Sequence, residues 1–339
     1  MTDALIHDQN VINSINSLIT EYGGIPGTFA ADLTSQMIQT SLKLMAENHD
    51  IGQMKLISRA LKEMRHAYSV FNKYQEANFI SIFGSARTPE DHPDFLAAEA
   101  FSMAMAKEEW MCITGAANGI MHAGVKGAQQ QSSFGLSIRL PFETPTNSLI
   151  KGDPKLMIFR YFFIRKLMFL SHSHAIAVFP GGFGTQDELF EALTLMQTGK
   201  SNIVPLILME GEKGSYWKHW EEYMNAQLFE NGWTSPDDRH LYYIATSPTD
   251  AKKHILRFYN NYHSSRYVNS QLVIRIKKPI SKKTLDELND KFELLVASGK
   301  IVDTAALPEE TDHLDLPRIA FHHTRKNYGL LRSLIDHLN

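Results

Sequence analysis

The chain holds a single cysteine, Cys112, among 339 residues. That excludes an internal disulfide framework and any zinc or iron–sulfur centre built on several cysteines. Long apolar runs are missing too. The most apolar stretch, Leu156 to Leu170, is interrupted by Arg160, Arg165 and Lys166, and is too short and too charged to span a bilayer. The first residues carry Asp3, His7 and Asp8, where a secretory signal needs a basic start and an unbroken apolar core. A soluble cytoplasmic protein with no membrane partner is therefore expected. Charge of one sign is not in excess: 34 Lys and Arg face 37 Asp and Glu, for a net charge of −3 and a pI near 6.6. No global footprint for nucleic acid results, and no nucleic-acid partner is expected. With 20 glycines, 13 prolines and 43% hydrophobic residues, the chain is neither low-complexity nor disordered.

What is present divides into three regions, against a length prior of about two domains at roughly 150 residues each. Residues 1–76 repeat apolar side chains at helical spacing (Ile12, Ile15, Leu18, Ile19; Met54, Leu56, Ile57, Leu61, Met64) and carry no recognisable chemistry. Residues 77–262 alternate short apolar runs with amphipathic stretches. Strands are expected at Phe79–Phe83, Trp110–Thr114, Phe134–Leu140, Ala175–Phe179, Ile203–Leu208 and Leu241–Ile244, and helices near 93–107, 119–130, 154–171, 185–199, 215–229 and 249–262. Continuous apolar strands suit a sheet covered on both faces. The alternation predicts an α/β fold, a Rossmann-like doubly wound parallel sheet, whose ligands sit beyond the carboxyl ends of the strands. Residues 265–339 look like a small βαβα unit, an α+β extension in which Ser281 caps a helix that Gly299 ends. From residue 251 onward 15 Lys and Arg outnumber 10 Asp and Glu, which reads as a solvated face before it reads as an RNA patch.

The segment HAIAVFPGGFGTQDELF is the most informative. A strand ends at Phe179, a turn of Pro180-Gly181-Gly182-Phe183-Gly184-Thr185 follows, and a helix starts near Thr185. Closely spaced glycines let backbone N–H groups approach an anion, and a helix N-terminus adds orphan donors and partial positive charge. Thr185 either caps that helix or donates its hydroxyl to the same anion. The pattern is neither a Walker A loop nor GxGxxG, so a monophosphate fits better than a triphosphate or dinucleotide. Asp187 and Glu188 fall in the expected first turn, where they either complement the macrodipole or reach a sugar attached to the phosphate. Upstream, Asp153-Pro154 opens a helix carrying Arg165 and Lys166, which either snorkel or hold an anion or base. Two further turns follow strands, Gly84-Ser85-Ala86-Arg87 and Gly115-Ala116-Ala117-Asn118-Gly119-Ile120-Met121. Each is weak alone, but three such turns converge on one sheet edge. The 15 histidines, including His172, His174, His322 and His323, have no carboxylate or cysteine at metal-ligand spacing and read as surface or helix-end residues, not metal ligands.

Together these residues resemble the LOG ("lonely guy") family, long labelled lysine decarboxylases. The family's PGGxGTxxE stands complete as Pro180, Gly181, Gly182, Gly184, Thr185 and Glu188. Its RK pair stands as Arg165-Lys166, and the GSAR start and an LPFE…N stretch (Leu140, Pro141, Phe142, Glu143, Asn147) are similar to the longer bacterial members. Residues 78–230 carry the motifs. One departure is the second turn, where Ala116 and Ala117 replace two glycines and His122 stands where some members have Glu. The resemblance implies hydrolysis of a nucleoside 5′-monophosphate to free base and ribose 5-phosphate, with neither metal nor organic cofactor, in a homodimer or higher oligomer. It implies Glu188 as the carboxylate facing the ribose and Arg165 at the departing base or the phosphate. Gly181, Gly182, Gly184 and Thr185 hold the 5′-phosphate, and Gly84, Ser85, Gly115, Asn118, Gly119, Met121, Lys166 and Asp187 line the substrate. A Lys166 Schiff base to pyridoxal phosphate lacks the acidic partner for the cofactor ring. A nucleotide-binding sensor or scaffold is the alternative, though a pure binder has no need of both Arg165 and Glu188.

Overall fold

The strand residues of the middle region alternate their side chains between two apolar layers, and that alternation builds the sheet. The computed structural model describes residues 8–140 and 147–339. In β1 (Asn78–Phe83), Ile80 and Ile82 enter a core with Phe95, Phe101, Ile207 and Ile255. Phe79 and Phe83 point the other way, Phe79 edge-on to Phe71 and Phe134 and Phe83 against Phe169. Both faces are thus covered, as the uninterrupted apolar runs require. The other strands are β2 (Trp110–Thr114), β3 (Ser133–Ile138), β4 (Leu156–Phe159), β5 (Ala175–Val178), β6 (Leu206–Leu208) and β7 (Tyr243–Ile244). They form a seven-stranded sheet in the order β4-β3-β2-β1-β5-β6-β7, every pair parallel.

The chain therefore builds outward from β1 to β4, then returns to lay β5 against the other side of β1. Connections diverge between β1 and β5, which opens a crevice at their carboxyl ends. One expectation fails here. Residues 154–171 are not one helix: Leu156–Phe159 form the edge strand β4, and the helix covers only Phe162–His172. The apolar Leu156-Met157-Ile158-Phe159 pairs with β3 instead, because half of a strand's surface is buried by pairing and packing that periodicity alone does not reveal.

Residues from Tyr262 onward form a second, four-stranded antiparallel sheet in the order β10-β11-β9-β8, from β8 (Tyr262–Val268), β9 (Gln271–Ile276), β10 (Val296–Thr304) and β11 (Arg318–His323). Two of these strands were not expected. The helix after Ser281 ends at Lys291, not at Gly299, which lies inside β10. Asn289 accounts for the change, since its side chain donates to the Ile301 carbonyl at 2.9 Å and accepts the Ile301 N–H at 2.9 Å, pinning β10 beside the helix. The basic excess of this region is partly interior: Arg275, Arg318 and Arg332 are all buried.

A separate compact unit comprises residues 1–66. Its helices Gln9–Glu21 and Phe29–Ala46 are capped by Asp8 and Thr28 and share a small core of Ile15, Ile19 and Ala31. Among the described residues no helix is long and apolar enough to cross a membrane.

Candidate functional site

Three strand-ending turns meet at the crevice and are stitched together by main-chain hydrogen bonds. Ser85 N–H, just past β1, donates to the Pro180 carbonyl past β5 at 3.0 Å, and Ile120 N–H, past β2, donates to the Ser85 carbonyl at 3.0 Å. Gly119 sits at φ +63 with the Ser85 carbonyl where a Cβ would lie, so a side chain is excluded both by backbone strain and by contact. The two alanines of this turn are accommodated. Ala116 takes φ 55, a conformation costing an L-residue about 1–2 kcal/mol, and its N–H and carbonyl are satisfied by Thr114 Oγ1 and Asn147 N–H.

The glycine-rich turn leads into a helix over Phe183–Gln197 with Gly182 at its N-cap, two residues earlier than expected. Thr185 is therefore not the cap. It lies in the first turn, buried, with its hydroxyl folded into the space that a side chain on Gly181 would need. Asp187 and Glu188 correspondingly fall beyond the first turn, where the macrodipole has decayed and no longer accounts for them. Nothing lies within 4 Å of a Cβ placed on Gly182 or Gly184. Both glycines are exposed, and neither is required by packing. Tyr216, which no motif singles out, braces the turn. Its hydroxyl donates to the Gly181 carbonyl at 2.6 Å and accepts from Gln186 Nε2 at 2.7 Å, while its own N–H donates to Glu210 at 2.8 Å.

Arg165 and Glu188 project from the helices that follow β4 and β5. The Arg165 guanidinium carbon stands 5.0 Å from the Phe162 ring centre and 5.8 Å from that of Phe169. One terminal nitrogen lies 3.6 Å from the place a Gly115 Cβ would occupy, beside the Met121 sulfur. Burial draws its pKa below the ordinary arginine value, against the pull of Glu188. Glu188 is only 5% exposed, and burial pushes its carboxyl up to about 7, with Lys166 and Arg165 pulling down and Asp187 and Glu191 pushing further up. Glu188 Oε2 and Arg165 Nε are both buried without a hydrogen-bond partner. Leaving a buried polar atom of a charged group without a hydrogen bond costs more than the ~1–3 kcal/mol typical of a neutral one.

Of the other predicted lining residues, Gly84 packs on Ile120 and Asn118 is exposed in the second turn. Lys166 is engaged by carboxylates, at 2.7 Å from Asp187 and 3.4 Å from Glu191. Pro141, Phe142 and Glu143 lie outside the described residues, whereas Asn147 is buried against the Ala116 turn. Of the histidines expected at the surface or at helix ends, His172 ends its helix and is half-buried, stacked on Phe71 at 3.9 Å. His174 is half-buried and accepts the Phe79 N–H at 3.0 Å, and His323 departs from the expectation, buried with Tyr267 at 2.6 Å.

The two kinds of glycine separate experimentally. Gly184→Ala is expected to leave thermal stability equal or higher, since Ala gains about 1 kcal/mol over Gly in a helix, while weakening phosphate-bearing ligands about tenfold, equivalent to the loss of one hydrogen bond of about 1.4 kcal/mol. Gly181→Ala is expected to lower the melting temperature by displacing Thr185. Calorimetry paired with nucleotide titration checks both.

Residues 103–255 match the family model described as possible lysine decarboxylase. Among solved structures, the chain is similar to the molybdenum cofactor binding protein of Rippkaea orientalis, at 19% identity over 53% of this chain and 96% of that one, TM-score 0.39. It is similar also to the molybdenum cofactor carrier protein of Chlamydomonas reinhardtii, at 18% identity over 53% and 97%, TM-score 0.36. DNA processing protein A of Helicobacter pylori follows at 14% identity over 53% and 80%, TM-score 0.37. No curated protein matches the chain.

Proposed function

We propose that this chain, whose residues 103–255 match the family model described as possible lysine decarboxylase, hydrolyses the N-glycosidic bond of nucleoside 5′-monophosphates, either AMP or a cytokinin-type ribotide. The observation that carries the reading is the pair of buried polar atoms without a hydrogen-bond partner, Glu188 Oε2 and Arg165 Nε, on helices beside the turn that carries the exposed Gly182 and Gly184. A ligand with an anionic end and a charge-developing centre gives both a partner.

The 5′-phosphate sits on the turn, held by N–H groups of the helix N-terminus and the Thr185 hydroxyl. The pentose then lies over Glu188. As the C1′–N bond breaks, its electron pair leaves with the base and positive charge grows on the ring. An ionised Glu188 stabilises that charge and orients the attacking water, whose oxygen bonds to C1′. One of the water's protons passes to the departing base and the other stays on the new C1′ hydroxyl, so ribose 5-phosphate and free base result. Arg165, close to Gly115 and Met121, stabilises the departing base or the phosphate. The amine chemistry suggested by the family's description fits less well. Lys166 is held as a cation by Asp187 and Glu191, and a protonated amine is no nucleophile. Exposed Phe162, Phe163 and Phe183 beside the site offer an apolar surface for a second copy, in keeping with an oligomer.

Phosphate binding remote from the reacting bond positions the sugar, so AMP is expected to turn over at least about a hundredfold faster than adenosine. Chromatography of products from a panel of nucleoside monophosphates and nucleosides tests this, and equal turnover of AMP and adenosine would overturn the reading.

A further inference from the structure

Lys166 sits one residue after Arg165, in the pair that the sequence assigns to the substrate. The structure gives it other work. Its ammonium spans from one helix to the next, donating to Asp187 Oδ2 at 2.7 Å and reaching Glu191 Oε2 at 3.4 Å. Those two acids bracket Glu188 in sequence, one residue before it and three after. The Lys166 side chain is 13% exposed, whereas Asp187 and Glu191 are 64% and 43% exposed. The lysine is thus the inner, more buried partner of the three.

The charged groups facing Glu188 are four. Arg165 and Lys166 approach from the helix Phe162–His172, and Asp187 and Glu191 share the helix Phe183–Gln197. Three carboxylates within one and a half turns of a helix repel one another, and the buried one gives up its charge first. A single ammonium bound to both outer acids cancels most of that repulsion while adding its own attraction. Burial works against charge on Lys166, but the hydrogen bond from Asp187 and the charges of Glu188, Asp187 and Glu191 prevail, and its pKa lies above the ordinary lysine value.

We propose that Lys166 is a positioning residue which, by clamping Asp187 and Glu191 across the helix pair, holds Glu188 ionised near neutral pH and makes no contact with substrate. This rests on the reading of Glu188 as the working carboxylate. It separates Lys166 from Arg165 despite their adjacency: Arg165 serves the ligand, and Lys166 serves the carboxylate.

The test is titration of Glu188 by carbon-13 NMR of glutamate-labelled full-length protein, its signal identified by its loss in Glu188→Gln. Lys166→Met is expected to raise the midpoint by about one pH unit, the smaller end of the effect of a nearby charge. Asp187→Asn with Glu191→Gln is expected to lower it. The acid limb of the AMP hydrolysis profile should move in the same two directions. A midpoint unchanged in both variants, with circular dichroism matching the parent, would overturn the proposal. So would a raised KM for AMP in Lys166→Met without a pH shift, the mark of a substrate ligand. If no nucleotide is hydrolysed but the midpoints move, the electrostatic clamp stands and the hydrolase reading alone fails.

Discussion

Glu188→Gln is expected to reduce AMP hydrolysis by about 10²–10⁴-fold, the range for loss of a positioned acid–base group, while the affinity for AMP changes little. The separation follows from geometry. The amide keeps the size of the carboxyl, and on the proposed reading the phosphate is held by the backbone of the preceding turn, where a Cβ on Gly182 or Gly184 would meet nothing within 4 Å. What the amide cannot supply is negative charge beneath the pentose as the base departs. Product chromatography for turnover and calorimetry for binding measure the two effects independently. The parent's pH dependence follows from the same group. Burial raises its carboxyl to about 7, and the working form is the ionised one. Activity is therefore expected to climb as pH rises through about 7 and to fall below it. In the amide variant, the residual rate should lack that limb. A parent rate flat between pH 5 and 8 would contradict the assignment of Glu188.

The second large effect concerns stability and lies in the antiparallel sheet. Glu310 accepts from Arg275 at 3.1 and 2.7 Å, from Arg318 at 2.6 Å and from the Leu307 N–H at 3.0 Å. Both the Glu310 and the Arg318 side chains are 0% exposed. Glu310→Gln leaves two guanidinium groups facing a neutral amide in the interior. Breaking a buried ion pair from one side costs about 3–5 kcal/mol. A fall in melting temperature on the order of 10 °C is expected. Burial alone would raise the Glu310 pKa, but the hydrogen bonds from Arg275, Leu307 and Arg318 prevail and hold it below the usual carboxylate range. A depressed carboxyl pKa stabilises fully above the unfolded value and loses that contribution as pH falls through the folded one. The parent should therefore lose stability in acid at Glu310's expense, and the variant's melting temperature should depend less on acidity. Thermal scans of both proteins from pH 7 down to 3 decide this.

How far the sequence foretold these features depends on how local each one is. The parallel sheet was legible because its strands are apolar on both sides and separated by regular helical stretches. Leu156–Phe159 was missed because four apolar residues before an apolar helix carry no period of their own, and only pairing with β3 makes them a strand. The placement of Gly182 at the N-cap was beyond reach for a similar reason: Phe183 between two glycines gives no propensity signal, yet it is the first helical residue. The adjacency of Arg165 and Glu188 to one crevice was suggested by motif and not by spacing. The bracing hydroxyl of Tyr216, 35 residues from Gly181, left no mark in the sequence at all. The Lys166 contacts with Asp187 and Glu191 are likewise a product of two helices meeting.

The seam joining the three turns is made almost wholly of peptide groups: Ser85 N–H to the Pro180 carbonyl, and Ile120 N–H to the Ser85 carbonyl. Such a seam excludes a side chain at Gly119, where a Cβ would strike the Ser85 carbonyl, and makes no use of the side chains at its exposed positions. Alanines stand at 116 and 117 without loosening it, and the exposed Ala86, Arg87 and Asn118 are free to vary. On the proposed reading the architecture is a fixed socket for the ligand's charged end with an exposed rim, and exchanging rim residues alters which ring system is admitted while the grip on that end persists.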